Sequence, residues 1–298
     1  MRIALLLLLS INFGFAADLG KPPEPGTLAF HLSTNLAARA KGRTASYTDK
    51  CELENWRYAI FNSTNLHNLT NATWSTNFWL AGVKGLSATS IGCKDGMGGQ
   101  GLITMVSPRH YLFATHMHPE GFTVAFLATN NQIFWRRTLE RVDIAIDTSV
   151  GILDSDLPPS VGFLPILAPD FLDYIPILST NFLQGLGMNQ DMFVFSQPIQ
   201  LSAQPIFLWS HMAAAPLGPG TNWNIAIRGG DSSNPEMLLI ENQLVLVSHN
   251  YAANAGPNYP SQITAINRQM HNLSTHNHLT TDYQLTTYSL TNWPKVGL

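Results

Sequence analysis

The chain has 298 residues, only 12% of them charged, and a net charge of −3. That balance gives no electrostatic basis for binding nucleic acid or an anionic membrane surface, and no run reaches the roughly 20 apolar residues of a transmembrane helix. Its length allows one large core or two smaller ones, and its many Asn, Thr, Ser and Gly residues favour short strands joined by polar turns.

At the N-terminus, Arg2, the apolar run Ile3 to Leu9 and the small-residue stretch Gly14-Phe15-Ala16-Ala17 have the form of a secretory signal peptide over residues 1–17. The expected location is secreted or periplasmic. Residues 18–75 form an N-terminal extension. It opens on an irregular Pro- and Gly-rich arm and continues into a short helix over Thr27 to Ala40. The two cysteines, Cys51 and Cys93, are expected to pair in an exported chain, with a loop-closure contribution of about 4 kcal/mol. Asn-x-Ser/Thr sequons begin at Asn62, Asn68, Asn71 and Asn272; they mean surface glycans in a eukaryotic chain and polar loops in a bacterial one.

Strand signals become clear after residue 95. Gly101 to Ser107 and Tyr111 to Thr115 are apolar runs, and Phe122 to Ala128 and Gln132 to Ile146 flank the turn Thr129-Asn130-Asn131. Short strands follow at Ser149 to Leu153, Met192 to Ser196, Pro205 to Trp209 and Trp223 to Ile227. Met237 to Ile240 and Leu244 to Val247 form a further hairpin. Ser261 to Leu273 places Ile263, Ile266, Met270 and Leu273 on one helical face. Many short strands with one late helix indicate an all-β barrel or sandwich.

Three places carry candidate chemistry. Gly230-Asp231-Ser232 lies between two apolar runs, where a serine on a glycine-led turn can sit beside free backbone N–H groups. His116 ends a strand next to Ala114 and Thr115. Asp147 opens an apolar strand, where a carboxylate needs a partner such as an imidazole N–H; Asp143 has nearly the same local context and is its rival. His116-x-His118 also has the spacing of two metal ligands on one strand face. No third ligand has an obvious position, so no metal or other cofactor is expected.

The order His116, Asp147, Ser232 resembles the trypsin-like, chymotrypsin-fold serine proteases. Ala114-Thr115-His116 is similar to the family's Ala-Ala-His block. The Asp147 segment, with Val150 and Leu153, is similar to its Asp-Ile-x-Leu-x-x-Leu stretch. Gly230-Asp231-Ser232-Ser233-Asn234-Pro235 resembles Gly-Asp-Ser-Gly-Gly-Pro, and Val247-Ser248-His249-Asn250 resembles Val-Ser-Trp-Gly.

The resemblance implies an all-β fold of two six-stranded antiparallel barrels with a C-terminal helix. The first barrel would span 76–165 and carry His116 and Asp147. The second, 166–273, would carry Ser232, followed by a tail, 274–298, that packs back as a strand. The implied mechanism has Ser232 as nucleophile, His116 as base, Asp147 as orienting acid and the N–H groups of Gly230 and Ser232 as oxyanion hole. Ala226, Ser248, His249 and Asn250 would contact a polypeptide substrate. Ser233 and Asn234 depart from two glycines, and His249 and Asn250 from Trp-Gly. An internal cation, Arg228, is expected for Asp231. An inactive homologue acting as a secreted binding module, and a metal-dependent hydrolase using His116 and His118, are the alternatives.

Overall fold

The computed structural model describes residues 24–40, 61–62, 71–76, 78–93, 102–145, 147–175, 183–188, 194–200, 210–211, 229–251 and 256–296. Among them the chain is mostly β, with two main sheets and two α-helices. The first sheet contains β3 (Gly92–Cys93), β6 (Thr123–Leu127), β7 (Ile133–Ala145), β8 (Thr148–Leu153), β5 (His110–Ala114) and β4 (Thr104–Met105), in that spatial order and antiparallel throughout. The second has seven strands: β12 (Ser210–His211), β11 (Val194–Gln200), β10 (Leu183–Met188), β13 (Pro235–Ile240), β14 (Gln243–His249), β9 (Ile166–Leu167) and β15 (Thr287–Tyr288). One of the two sheets is a half-barrel. The remaining strands, β1 (Phe61–Asn62) and β2 (Thr73–Trp74), pair with each other.

The second sheet departs from the expected six antiparallel strands. β9 runs parallel to both of its neighbours, β14 and β15. Tail residues 287–288 thus return as a strand inside the segment Tyr283 to Leu290, as the sequence suggested.

Alternation along β13 and β14 explains why both runs read as continuously apolar. Met237, Leu239, Leu244 and Leu246 face the core that the two sheets share with Tyr111, Phe113, Phe126 and Ile152. Leu238, Ile240, Val245 and Val247 face the other way, because successive strand residues point to opposite faces. That second face is covered by α1 (Leu28–Ala40), whose Leu28 and Leu32 are fully buried against it. The N-terminal segment therefore completes the core of the second sheet. Polar contacts fix its far side: Asn35 Nδ2 donates to Glu241 O at 2.8 Å, and Arg39 donates to Asn242 Oδ1 at 2.7 Å.

The second helix, α2 (Tyr259–His276), starts at Asn258, whose side chain accepts from Ser261 N, with Pro260 in the first turn. Ile266, Met270 and Leu273 are buried along one face, the stripe expected from their spacing. The helix lies across β7 and β8 of the first sheet and β9 and β14 of the second, so it packs on both sheets.

One glycine is required by close packing. A Cβ on Gly151 in β8 would lie 2.1 Å from the Tyr111 ring carbon Cζ on neighbouring β5. Strand β10 escaped the sequence reading because its two glycines, Gly185 and Gly187, break the β-propensity pattern. The expected strands Pro205 to Trp209 and Trp223 to Ile227 lie outside the described residues, as do the signal peptide, Cys51, Ala226 and Arg228. Cys93, half-buried in β3, carries a free thiol, which does not accord with the expected Cys51–Cys93 bridge.

Candidate active site

Strand β5 ends at Ala114 and passes into a single 3-10 turn, Thr115–Met117, that carries His116 outward. Its side chain is half exposed, whereas that of Asp147 is only 17% exposed. Asp147 sits in the tight connection between β7 and β8 at φ 54°, a left-handed conformation that Asp tolerates better than most residues. Its carboxylate grips His116 twice. Oδ2 accepts from His116 Nδ1 at 2.7 Å, and Oδ1 accepts from the His116 backbone N at 3.0 Å. The bond to Nδ1 fixes the tautomer that leaves Nε2 as an acceptor, the state a general base needs.

Asp143 is occupied elsewhere. It accepts from Ser149 Oγ at 2.7 Å and faces Arg141 at 3.6 Å, so the pairing of His116 is with Asp147 and not with its rival. His118 Nδ1 accepts from Arg141 at 2.8 Å, and Arg141 is itself paired with Glu120 and donates to the Thr115 carbonyl. Among the described residues no group of three His, Cys, Asp or Glu side chains converges in a metal-binding arrangement.

The Ser232 loop is anchored to the end of β5. Residues 231–234 form a turn closed by Asn234 N donating to Asp231 O at 3.2 Å. Ser233 Oγ accepts from Ala114 N at 2.7 Å, and Asn234 Oδ1 accepts from Leu102 N at 2.9 Å, both fully buried. Ser233 and Asn234 therefore point inward and tie the loop to the first sheet. Ser233 adopts φ 73°, the region that glycine enters without strain. Asp231 is fully buried, and Arg228, its expected cation, lies outside the described residues.

These anchors leave Ser232 partly exposed between two buried neighbours. Gly230, at φ 97°, turns the chain as only glycine does readily. Among the described residues no backbone carbonyl accepts the N–H of Gly230 or of Ser232. Two open backbone donors on one turn are what an oxyanion hole would require. No hydrogen bond joins Ser232 Oγ to His116, although Ala114 and Ser233 link their two segments directly.

Ser248, His249 and Asn250 are three of the residues expected to contact substrate. All three residues are at most 2% exposed. The end of the strand is zipped onto the Ser232 loop: Asn250 O accepts from Ser233 N at 2.7 Å, and Asn250 N donates to Asn234 O at 3.0 Å. Asn250 is thus held through its backbone, and Tyr251 is the first residue beyond the stretch to emerge partly to the surface. Burial and the nearby Asp147 carboxylate both raise the Tyr251 pKa.

His249 performs a task the sequence did not suggest. Its Nε2 lies 3.1 Å from the Asp147 carbonyl oxygen, which can only accept, so Nε2 carries the proton. Nδ1 then accepts from the Tyr259 hydroxyl at the start of α2. Burial pushes the His249 pKa down to about 3, keeping the ring neutral in this donor–acceptor state. Tyr259 escaped the sequence reading because an aromatic at the start of a helix reads as ordinary core. Neither the family models nor the curated proteins compared with this chain give a match.

Proposed function

We propose that the protein is a secreted serine hydrolase acting on polypeptides, a divergent member of the trypsin-like class with two chymotrypsin-type barrels. The observation that carries this reading is the double grip of the Asp147 carboxylate on His116, in the same corner as the open N–H groups of Gly230 and Ser232. In the proposed reaction Ser232 Oγ attacks the scissile carbonyl carbon and His116 Nε2 takes its proton. The carbonyl oxygen, now negative, is held by the two backbone donors. His116 then protonates the departing amine, and water, deprotonated by the same Nε2, releases the acyl group from Ser232. Asp147 holds the imidazole and stabilises its charged form. Each oxyanion donor is worth about 3 kcal/mol in such sites.

A fluorophosphonate probe tests this reading. The native protein is expected to be labelled and Ser232→Ala not, with chelator having no effect. Hydrolysis retained in Ser232→Ala would exclude the mechanism. A second reading, a trypsin-like scaffold that only binds, draws on the missing Ser232–His116 hydrogen bond and on the burial of Ser248, His249 and Asn250. Folded native protein that fails to take up the probe would favour it.

A further inference from the structure

The geometry points to His249 as a positioning residue that acts through Asp147, with Tyr259 setting its tautomer; this assignment rests on the proposed triad. Asp147 is a non-glycine residue in a left-handed turn, and its orientation decides whether the carboxylate meets His116. Its carbonyl is held by two donors, Thr115 N at 3.2 Å from the first sheet and His249 Nε2 at 3.1 Å from the end of β14 in the second. The first comes from the same segment as His116, so it moves with the histidine. Only the second refers the turn to a separate, rigid element.

His249 is itself held on several sides. It is 2% exposed, Tyr259 donates to its Nδ1, and its residue pairs with Pro235 across β13. Gly256 crosses so close that a Cβ there would lie 2.0 Å from His249 O. A relay therefore runs from α2 through Tyr259 and His249 to Asp147 and His116. It ties the base and acid on one sheet to the strand, β14, that also clasps the nucleophile loop through Asn250. The departure from tryptophan at this position thus supplies an N–H that tryptophan, bulkier and without a second ring nitrogen to accept from Tyr259, could not present in the same way.

The relay makes a prediction that a merely space-filling histidine would not. His249→Leu removes the donor to Asp147, and His249→Gln retains a side-chain N–H. Tyr259→Phe removes the group that fixes the tautomer. The other ionisable groups around the pair are His118 and Glu120 beyond β5, Arg141 and Asp143 on β7 and Tyr251 after β14, and all are unchanged in these variants. The readout is the downfield proton resonance of His116 Nδ1–H, measured on the full chain by NMR with His116→Gln as the assignment control. It is expected to broaden or vanish in His249→Leu and in Tyr259→Phe, and to persist in His249→Gln. Fluorophosphonate labelling should slow by about tenfold or more in the first two.

An unaltered His116 resonance in folded His249→Leu, or in folded Tyr259→Phe should the first variant fail to fold, would overturn the assignment. The resonance reports the His116–Asp147 bond whether or not the protein turns over substrate. A native protein that shows it but takes up no probe would therefore count against the hydrolase reading and leave the relay standing.

Discussion

Ser233 illustrates how a single residue can satisfy a backbone constraint and a packing constraint that pull in different directions. At φ 73° a serine is strained by roughly 1 kcal/mol relative to glycine, yet its hydroxyl satisfies the buried N–H of Ala114. Ser233→Ala keeps the strain and orphans that N–H, so a loss of about 1–3 kcal/mol is expected in urea denaturation. Ser233→Gly relieves the strain and should be the milder change of the two. The acid can be tested in the same way. Asp147→Asn is expected to lower fluorophosphonate labelling by about four orders of magnitude, as loss of the tautomer-fixing acid does in such triads. Asp143→Asn should leave it near the native rate, because Asp143 serves Ser149 and Arg141 instead. The sequence narrowed the acid to these two aspartates. Only the turn geometry, which points one carboxylate at His116, separates them.

At the scale of elements, the join between β5 and α2 contains a buried histidine, away from the His116–Asp147 pair. His110 Nδ1 lies 3.0 Å from Ser107 Oγ, and its Nε2 lies 3.2 Å from Ser274 Oγ on the helix. Burial, aided by neighbouring Arg109, lowers its pKa to about 4. A histidine whose folded pKa lies below the unfolded value of 6.5 contributes its full stability above pH 6.5. The contribution is lost as pH falls, because the unfolded chain takes up a proton that the folded one refuses. The window runs from pH 6.5 down to about 4 for His110, and to about 3 for His249. Each should contribute a slope of about 1.4 kcal/mol per pH unit in that range. Denaturation series between pH 5 and 6 are expected to show the slope reduced by this amount in His110→Gln. On the neighbouring strand pair, Gly151→Ala would drive a methyl into the Tyr111 ring, and a loss of about 3 kcal/mol or more is expected from such overpacking.

For the whole molecule, the two sheets, α2 and α1 are coupled through shared cores rather than through a linker. Leu32 on α1 is fully buried against β13 and β14, the same strands whose opposite face meets the first sheet. Leu32→Ala is therefore expected to cost about 2–5 kcal/mol. On the proposed function it should also slow probe labelling at Ser232, since β13 begins at the end of the Ser232 loop. Equal labelling in the destabilised variant would show that the N-terminal helix supports stability alone.

The sequence by itself determined the local patterns: the mostly β character, the α1 and α2 helices, the hairpins β6–β7 and β13–β14, and the candidate residues His116, Asp147 and Ser232. Each of these is written in the spacing or chemistry of adjacent residues. Long-range pairing decided the rest. No local pattern foretells that α1 closes the second sheet, that β9 runs parallel between β14 and β15, or that Ser248, His249 and Asn250 are buried. Those outcomes depend on which apolar faces meet once the chain is compact. The same is true of the His249–Asp147 bond, which links residues 102 apart in the chain and exists only because the ends of two sheets converge.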